Sequence, residues 1–363
     1  MPVRVAINGF GRIGRNFLRA ALAAQADLDV VAVNDLASID GNAHLLRYDS
    51  SYGRLAEDVR VRSGVIEVAS MSIRVLSERS PELLPWRDLE VDVVIESTGR
   101  FTSREAASAH LVAGAKRVII SAPAADADAT FVMGVNDMDF DPDRHFVVSN
   151  ASCTTNCFVP MVKVLDDAFG VRRGLMTTVH AYTNDQNLLD LTHKDLRRSR
   201  SAAVNIVPAS TGAAKATSLV LAAMKGRLDG TALRVPVPVG SITDFTALVD
   251  GEVDVESVNA AFRSASSTGS LARVLDYSDD PIVSSDIVGS TASCTFDSGM
   301  TMTMGVGLLT PDDVVDGPLG SRSAGSPATL VKVFGWYDNE WGYSNRLVDA
   351  ALMVQGARAS GDR

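Results

Sequence analysis

The chain is predicted to fold as two halves of different class: a doubly wound α/β domain, then an α+β domain built on a mostly antiparallel sheet. Four observations carry this. Residues 3–7 read as a strand that runs into Asn8-Gly9-Phe10-Gly11-Arg12-Ile13-Gly14, then into apolar positions at helical spacing (Ile13, Phe17, Ala20, Ala21). A second apolar run, 30–33, follows and ends at Asn34-Asp35. Further strands at 91–96, 117–120 and 146–148, with a helix over 103–114, continue the alternation of a parallel sheet. Later, after a strand at 174–178, the pattern changes to period two, as in 234–249, which points to antiparallel pairing with helices on one face. We expect 1–150 to form the first domain, completed by a C-terminal helix over about 338–363, and 151–337 the second.

A length of 363 residues suits two domains. A hydrophobic share of 46% against 21% charged suits ordinary globular cores. With 34 Lys and Arg against 44 Asp and Glu the net charge is −10, and no basic run occurs, so neither nucleic acid nor an anionic membrane surface is an expected partner. No apolar run reaches spanning length, and the chain enters a strand at once rather than a leader. Cys153, Cys157 and Cys294 are too few for a disulfide framework, which favours a reducing, cytoplasmic setting.

The first glycine stretch is a strand, G-x-G-x-x-G, a helix, a strand and an acid, the arrangement that binds a dinucleotide. Gly9 permits the tight turn, Gly11 lets backbone approach a pyrophosphate, and Gly14 lets the helix pack close to its strand. The helix N-terminus faces the phosphates and Asp35 accepts from ribose hydroxyls. An acid there repels a 2′-phosphate, so NAD is favoured over NADP. Ser97-Thr98-Gly99 and Ser121-Ala122-Pro123 follow two strand ends, where open sheets place ligands; spacing alone equally suits simple turns.

Ser149-Asn-Ala-Ser-Cys-Thr-Thr-Asn-Cys157 precedes apolar Phe158, Val162, Leu165 and Phe169, a helical pattern closed by Gly170. Cys153 then sits at a helix N-terminus, where N–H groups and the dipole stabilise a thiolate nucleophile. Among five histidines, His180 stands at a strand end beside hydroxyl residues and is the candidate base. Three rivals stand beside this reading. Cys153 can be an inert buried thiol, His180 a structural histidine, and Cys153, Cys157, His180 and His193 form a formal zinc set. The zinc set lacks the H-x₃₋₅-H spacing, so no metal is expected. Arg197, Arg198, Arg200 and Arg234, with Thr183, Ser210 and Thr211, could bind phosphate; an Arg-rich loop can equally be a solvated or subunit-contact surface. Residues 213–224 read as an alanine-rich helix, 309–327 as an exposed loop, and 344–355 as a closing helix.

Asn8-Gly9-Phe10-Gly11-Arg12-Ile13-Gly14-Arg15, the 149–157 stretch, Thr177-Thr178-Val179-His180-Ala181-Tyr182-Thr183-Asn184-Asp185-Gln186 and Trp336-Tyr337-Asp338-Asn339-Glu340 together resemble the phosphorylating glyceraldehyde-3-phosphate dehydrogenase family. The similarity runs in order along nearly the whole chain, apart from about 298–328. It implies that Cys153 attacks the aldehyde to give a thiohemiacetal, that His180 takes the hydroxyl proton, and that a thioester forms which inorganic phosphate can still break. It further implies Thr183 and Arg234 for the phosphate of glyceraldehyde 3-phosphate. For the attacking phosphate it implies Ser152, Thr154, Arg198, Thr211 and Gly212. For NAD it implies Arg12, Ile13, Asp35, Arg79, Ser121 and Asn339, besides the glycine loop. Family members are homotetramers whose Arg-rich loop, here about 181–203, lies near a neighbouring subunit's cofactor.

Thr192 stands where strictly NAD-dependent relatives have proline, which leaves room for some use of NADP, although Asp35-Leu36 is the NAD-type pair. Residues 298–328 exceed the family's short hairpin by about 20 residues, a length at which loops tend to carry a function of their own or to lack fixed structure. Leu76-Ser-Glu-Arg-Ser80 and Pro85-Trp86-Arg87 also resemble erythrose-4-phosphate dehydrogenase, the alternative reading, but Thr183 and Asp185 favour glyceraldehyde 3-phosphate. A non-catalytic paralogue acting as a binding protein is the alternative from another class.

Overall fold

The computed structural model describes residues 2–308 and 327–356. They form two compact units: one of 2–153, Val288–Thr291 and 340–356, the other of Thr154–Ile287 with the described part of Ala292–Asn339.

In the first unit Val3–Asn8 pairs in parallel with Leu28–Asn34 on one side and Val93–Glu96 on the other. The parallel sheet continues through Arg117–Ile120, Val147–Ser149 and Ala129–Thr130 at one end and through Met71–Leu76 at the other, where antiparallel Val65–Val68 and Val59–Arg62 close it. The central strands are largely apolar on both faces and largely buried, Arg4 alone of Val3–Asn8 being partly exposed, as a sheet covered on both sides requires. Strand order reverses at Val3–Asn8, so its C-terminal end is a switch point, the place where doubly wound sheets bind ligands. Asn8, Asn34 and Glu96 lie in register there.

Some expectations need correction. The helix expected over 103–114 is two short helices, Arg104–Ala107 and Ala109–Val112. Ser108 at the junction turns its hydroxyl back onto Arg104 O (2.7 Å), a local bond that competes with helix propagation. The first strand of the second group begins at Val93, not 91, and the third runs Val147–Ser149.

The second unit holds an eight-stranded, mostly antiparallel sheet. Val171–Ala181 pairs antiparallel with Ser241–Asp250 and parallel with Leu228–Val235. Val207–Ser210 flanks the latter, Pro327–Tyr337 pairs with Ser241–Asp250, and Cys294–Asp297 and Leu275–Ser278 complete the far side. The run read as 234–249 is thus two strands. Pro236 and Pro238 fall between them, and proline cannot donate to a ladder.

Helix Cys153–Phe169 is buried over nearly its whole circumference from Thr154 to Leu165, the mark of a core helix. Gly170 ends it at φ 69. The alanine-rich helix stops at Val220; Ala222–Met224 is a separate 3₁₀ turn. The two ends of the loop-like stretch at 298–328 are strand: Met302–Leu308 pairs with Pro327–Tyr337 as far as Leu308 and Pro327. Residues 309–326 of that expectation lie outside the described residues. The closing helix is Trp341–Gly356: it starts before the apolar pattern read from 344 and after the 338 given as the looser bound. No helix among the described residues is long and apolar enough to cross a membrane.

Candidate active site

In the first unit the glycine loop has the geometry its residue types require. Gly9 sits at φ 92, and a Cβ there would meet Thr98 N at 2.7 Å. A Cβ on Gly14 would meet Gly9 O at 2.2 Å, so helix and loop touch through bare backbone. Gly11 has open space around it. As N-cap of helix Arg12–Ala23 it offers no side-chain cap, which leaves the first-turn N–H groups of Arg12 and Ile13 for an anion. A cleft of about 400 Å³ opens beside it, lined by Asp35, Leu36, Arg79, Ser97, Thr98 and Arg100 among others. Asp35 receives Phe10 N at 2.8 Å and Ala37 N at 2.9 Å, which fixes its carboxylate at the cleft. These features fit a bound dinucleotide.

The side chain of Arg12 is engaged elsewhere. It is paired with Asp49 and Glu340, and although burial works against its charge, these partners hold its pKa above the ordinary value. Any contact of Arg12 with a pyrophosphate is therefore through its backbone. Ser121 N bonds Glu96 O at 2.9 Å at the end of its strand.

Beneath the cleft runs a buried chain of hydrogen bonds whose connectivity the sequence did not reveal. Trp86 Nε1–H donates to His110 Nδ1 (2.9 Å), so the neutral His110 proton is on Nε2 and points to Glu96 Oε2 (3.0 Å). Glu96 also receives Asn8 Nδ2 (2.6 Å) and the N–H and hydroxyl of Thr98. Asn8 Oδ1 accepts from Asn34, whose amide clasps both N and O of Glu78, next to Arg79. Three cofactor-side loops are thus tied to one buried carboxylate.

Cys153 is the first residue of its helix and is half-buried. The segment entering it is strained: Ala151 has φ 55 without being glycine. Ser149 Oγ accepts from Ala151 N (3.0 Å) and the Tyr343 hydroxyl donates to Ala151 O (3.0 Å), which holds it there. Burial, with the charge of Cys153 acting the same way, keeps the Tyr343 phenol above its usual range. Ser152 is half-buried beside it.

In the second unit His180 is buried on strand Val171–Ala181, opposite Arg234. Arg234 Nη1 lies 2.9 Å from His180 Nδ1, 3.1 Å from Ala181 O and 3.0 Å from Thr183 Oγ1. Thr183 donates to Asp185, which also pairs with Arg198. The structure thus brings His180, Thr183 and Arg234 together and ties Arg198 to them through Asp185. Thr211 Oγ1 accepts from Ala213 N (3.2 Å), and Gly212 caps helix Ala213–Val220 in open space, a second helix start suited to an anion. Thr154 is buried with its hydroxyl on Tyr337 Oη (2.9 Å), and Thr178 takes the same oxygen at 2.7 Å. Tyr337 was visible only as part of a motif, yet its ring meets that of His180 edge-on at 5.9 Å. Asn339 Oδ1 accepts from Gly240 N and Ser241 Oγ, which turns its NH₂ the other way. Cys157 is fully buried against Gly335 O (3.5 Å).

Burial, and next the charge of Arg234, push His180 down to about 3 from 6.5. The folded ring is therefore neutral where the unfolded chain is protonated. Between those values the unfolded state binds more protons, so stability falls as pH drops from about 6.5 toward about 3. The His180 share approaches about 1.4 kcal/mol per pH unit. His180→Asn is expected to flatten urea-midpoint profiles across this window; an unchanged slope would refute the assignment.

Comparison with known proteins agrees with both halves. Residues 3–104 match the glyceraldehyde 3-phosphate dehydrogenase, NAD binding domain, and residues 152–339 the glyceraldehyde 3-phosphate dehydrogenase, C-terminal domain. Glyceraldehyde-3-phosphate dehydrogenase of Streptomyces coelicolor is 56% identical over 98% of this chain and 99% of the relative. Glyceraldehyde-3-phosphate dehydrogenase 2 of Streptomyces avermitilis is 55% identical with the same coverage, and the Geobacillus stearothermophilus enzyme 53% over 98% of each. The chain belongs to the glyceraldehyde 3-phosphate dehydrogenase family.

Proposed function

We infer that the protein is an NAD-dependent oxidoreductase that oxidises D-glyceraldehyde 3-phosphate and transfers the acyl group to inorganic phosphate, giving 1,3-bisphosphoglycerate in glycolysis or gluconeogenesis. The observation that carries this reading is the set of a buried histidine, a guanidinium and a threonine hydroxyl around one point, in a chain of this family. Bound NAD supplies the hydride acceptor. The Cys153 thiolate, favoured by its helix start, adds to the aldehyde carbon. His180 takes the proton of the resulting hydroxyl, and its protonated form, with the Cys153 N–H, stabilises negative oxygen. Oxidation leaves a Cys153 thioester, energetic enough for phosphate to cleave. Thr183 and Arg234 hold the substrate phosphate. Ser152, Thr154, Arg198, Thr211 and Gly212 receive the attacking one, with the Thr211–Gly212 helix start as its strongest element. Gly9, Gly11, Gly14, the Arg12 and Ile13 backbone, Asp35, Arg79, Ser121 and Asn339 hold the cofactor. The domain division at 150/151, with the C-terminal helix returned to the cofactor domain, is part of this reading.

A homotetramer in the cytoplasm fits the surface. Leu188, Leu189, Leu191 and Leu196 are exposed, Leu196 at 81%, on a loop braced by its own bonds from Leu191 N to Ser199 O and Ala202 N to Asn187 O. Such an apolar patch marks a protein contact. None of Cys153, Cys157 and Cys294 is in a disulfide, as a reducing setting allows. NADH formation is expected to require both glyceraldehyde 3-phosphate and inorganic phosphate for sustained turnover. NADP should support rates lower by on the order of tenfold or more, since Asp35 opposes a 2′-phosphate. Phosphate-independent turnover of erythrose 4-phosphate would favour the sister activity instead.

A further inference from the structure

Glu96 is buried at the end of its strand, and no step of the proposed reaction uses it. Each of its carboxyl oxygens takes two donors. Oε1 receives Thr98 N (2.8 Å) and the Thr98 hydroxyl, and Oε2 receives Asn8 Nδ2 (2.6 Å) and His110 Nε2 (3.0 Å). What lies behind each partner fixes it as a donor. Thr98 Oγ1 accepts from Arg100 N (3.1 Å), so its own proton is directed to Glu96. The Glu78 backbone gives its N–H to Asn34 Oδ1 (2.8 Å) and takes Asn34 Nδ2 on its oxygen (2.9 Å), roles a peptide group cannot exchange. Asn34 Nδ2 therefore also donates to Asn8 Oδ1 (2.7 Å), which leaves Asn8 Nδ2 for Glu96. An indole N–H only donates, so Trp86 at His110 Nδ1 (2.9 Å) leaves the one proton of the neutral ring on Nε2. The 3.4 Å approach of Asn8 Nδ2 to His110 Nε2 is then two donors converging on one oxygen. From both ends the protons run toward Glu96, an acceptor-only carboxylate with no cation among its partners in the described residues. Four hydrogen bonds offset what burial of that charge costs.

The same network reaches the walls of the cofactor cleft. Asn8, Asn34, Glu78 and Thr98 line it, and Phe101, another lining residue, meets the His110 ring edge-on at 6.3 Å. Gly9 fits against Thr98 N so closely that a Cβ there would lie 2.7 Å away. We propose that Glu96 is a positioning residue for NAD: its carboxylate, with His110 and Trp86 setting the proton order behind it, holds Asn8, Thr98 and the Glu78–Arg79 turn where the dinucleotide meets them. The inference rests on the reading of that cleft as the NAD site. Charge matters here as well as shape. Glu96→Gln keeps the outline, but its NH₂ faces two donors whichever way the amide turns: the Thr98 N–H and hydroxyl on one side, Asn8 and His110 on the other. The conflict is relieved by moving residues that line the cleft, and NAD binding must undo that shift.

The test is calorimetric titration of the full-length protein with NAD. Glu96→Gln should raise Kd by on the order of tenfold or more, the effect of leaving buried donors without an acceptor. KM for NAD should rise by a similar factor, while kcat at saturating NAD changes by less than about twofold. Trp86→Phe keeps most of the packing and removes the indole N–H; alone it should weaken NAD binding roughly threefold. In the Glu96→Gln background it has the opposite effect. His110 can then carry its proton on Nδ1 and accept the new amide on Nε2, so the double variant should bind NAD more tightly than Glu96→Gln does. A purely structural support would instead lower Tm and leave Kd per folded site unchanged. Kd within about twofold of the unsubstituted protein for Glu96→Gln, or additive weakening in the double variant, would overturn the proposal. Should Glu96→Gln not fold, two measurements decide. ¹⁵N spectra of the unsubstituted protein, labelled at histidine and assigned with His110→Gln, should show Nδ1 bare and Nε2 protonated, and Trp86→Phe alone should bind NAD more weakly; a protonated Nδ1 or an unchanged Kd would overturn it. Failure of the underlying reading would look different: the unsubstituted protein would not bind NAD at all, while the His110 spectrum would still report the proton order.

Discussion

Cys153→Ser is expected to lower kcat/KM for glyceraldehyde 3-phosphate by on the order of 10⁴-fold or more, the scale seen when a nucleophile is removed from a cooperating set. A serine hydroxyl is not ionised at a helix start at neutral pH, whereas a thiol there is brought within reach of ionisation. An oxygen ester would also give up the reactivity toward phosphate that a thioester keeps. Folding should hardly change, because Cys153 is half-buried, serine is close to it in size, and the strained entry at Ala151 is held by Ser149 and Tyr343. The measurement pairs steady-state rates with NAD titration and thermal melts. Retention of more than about a tenth of the activity would dismiss Cys153 as the nucleophile.

The second large effect separates glycines that sequence alone treats as one motif. Gly9→Ala forces a side chain into φ 92 and against Thr98 N at 2.7 Å. Together strain and clash should cost about 3 kcal/mol or more, lowering Tm by roughly 6–12 °C. Gly11→Ala adds a methyl where nothing lies within 4 Å, so Tm should stay put while NAD binding weakens. Differential scanning calorimetry and NAD titration on the two variants decide this. If Gly11→Ala melted early and Gly9→Ala did not, the division of labour within the loop would be wrong.

Most of the first unit was legible because its signals are local. Strand, glycine loop, helix, strand and acid follow one another within Val3–Asp35, and each needs only its neighbours to be read. Cys153 was legible for the same reason, as a cysteine at the start of a helical pattern. The errors fell where a local pattern had two solutions. An apolar alternation ran across Pro236 and Pro238 as if unbroken, and a helical spacing over 103–114 hid the back-bond of Ser108.

What the chain order by itself determined was the class of each half, the glycine loop with its acid, and the place of Cys153 at a helix start and of His180 near a strand end. Tertiary structure decided what those residues can do. Parallel pairing of Val171–Ala181 with Leu228–Val235 sets Arg234 opposite His180 across 54 residues of sequence, and no periodicity in either strand foretells that register. Sheet order likewise brings Asn8, Asn34 and Glu96 together, a short helix lays His110 on Glu96, and packing within the first unit draws the Arg12 side chain to Asp49 and Glu340. Propensity and spacing act over a few residues, whereas a proton's position and a cation's partner are set by groups that only the folded sheet makes neighbours.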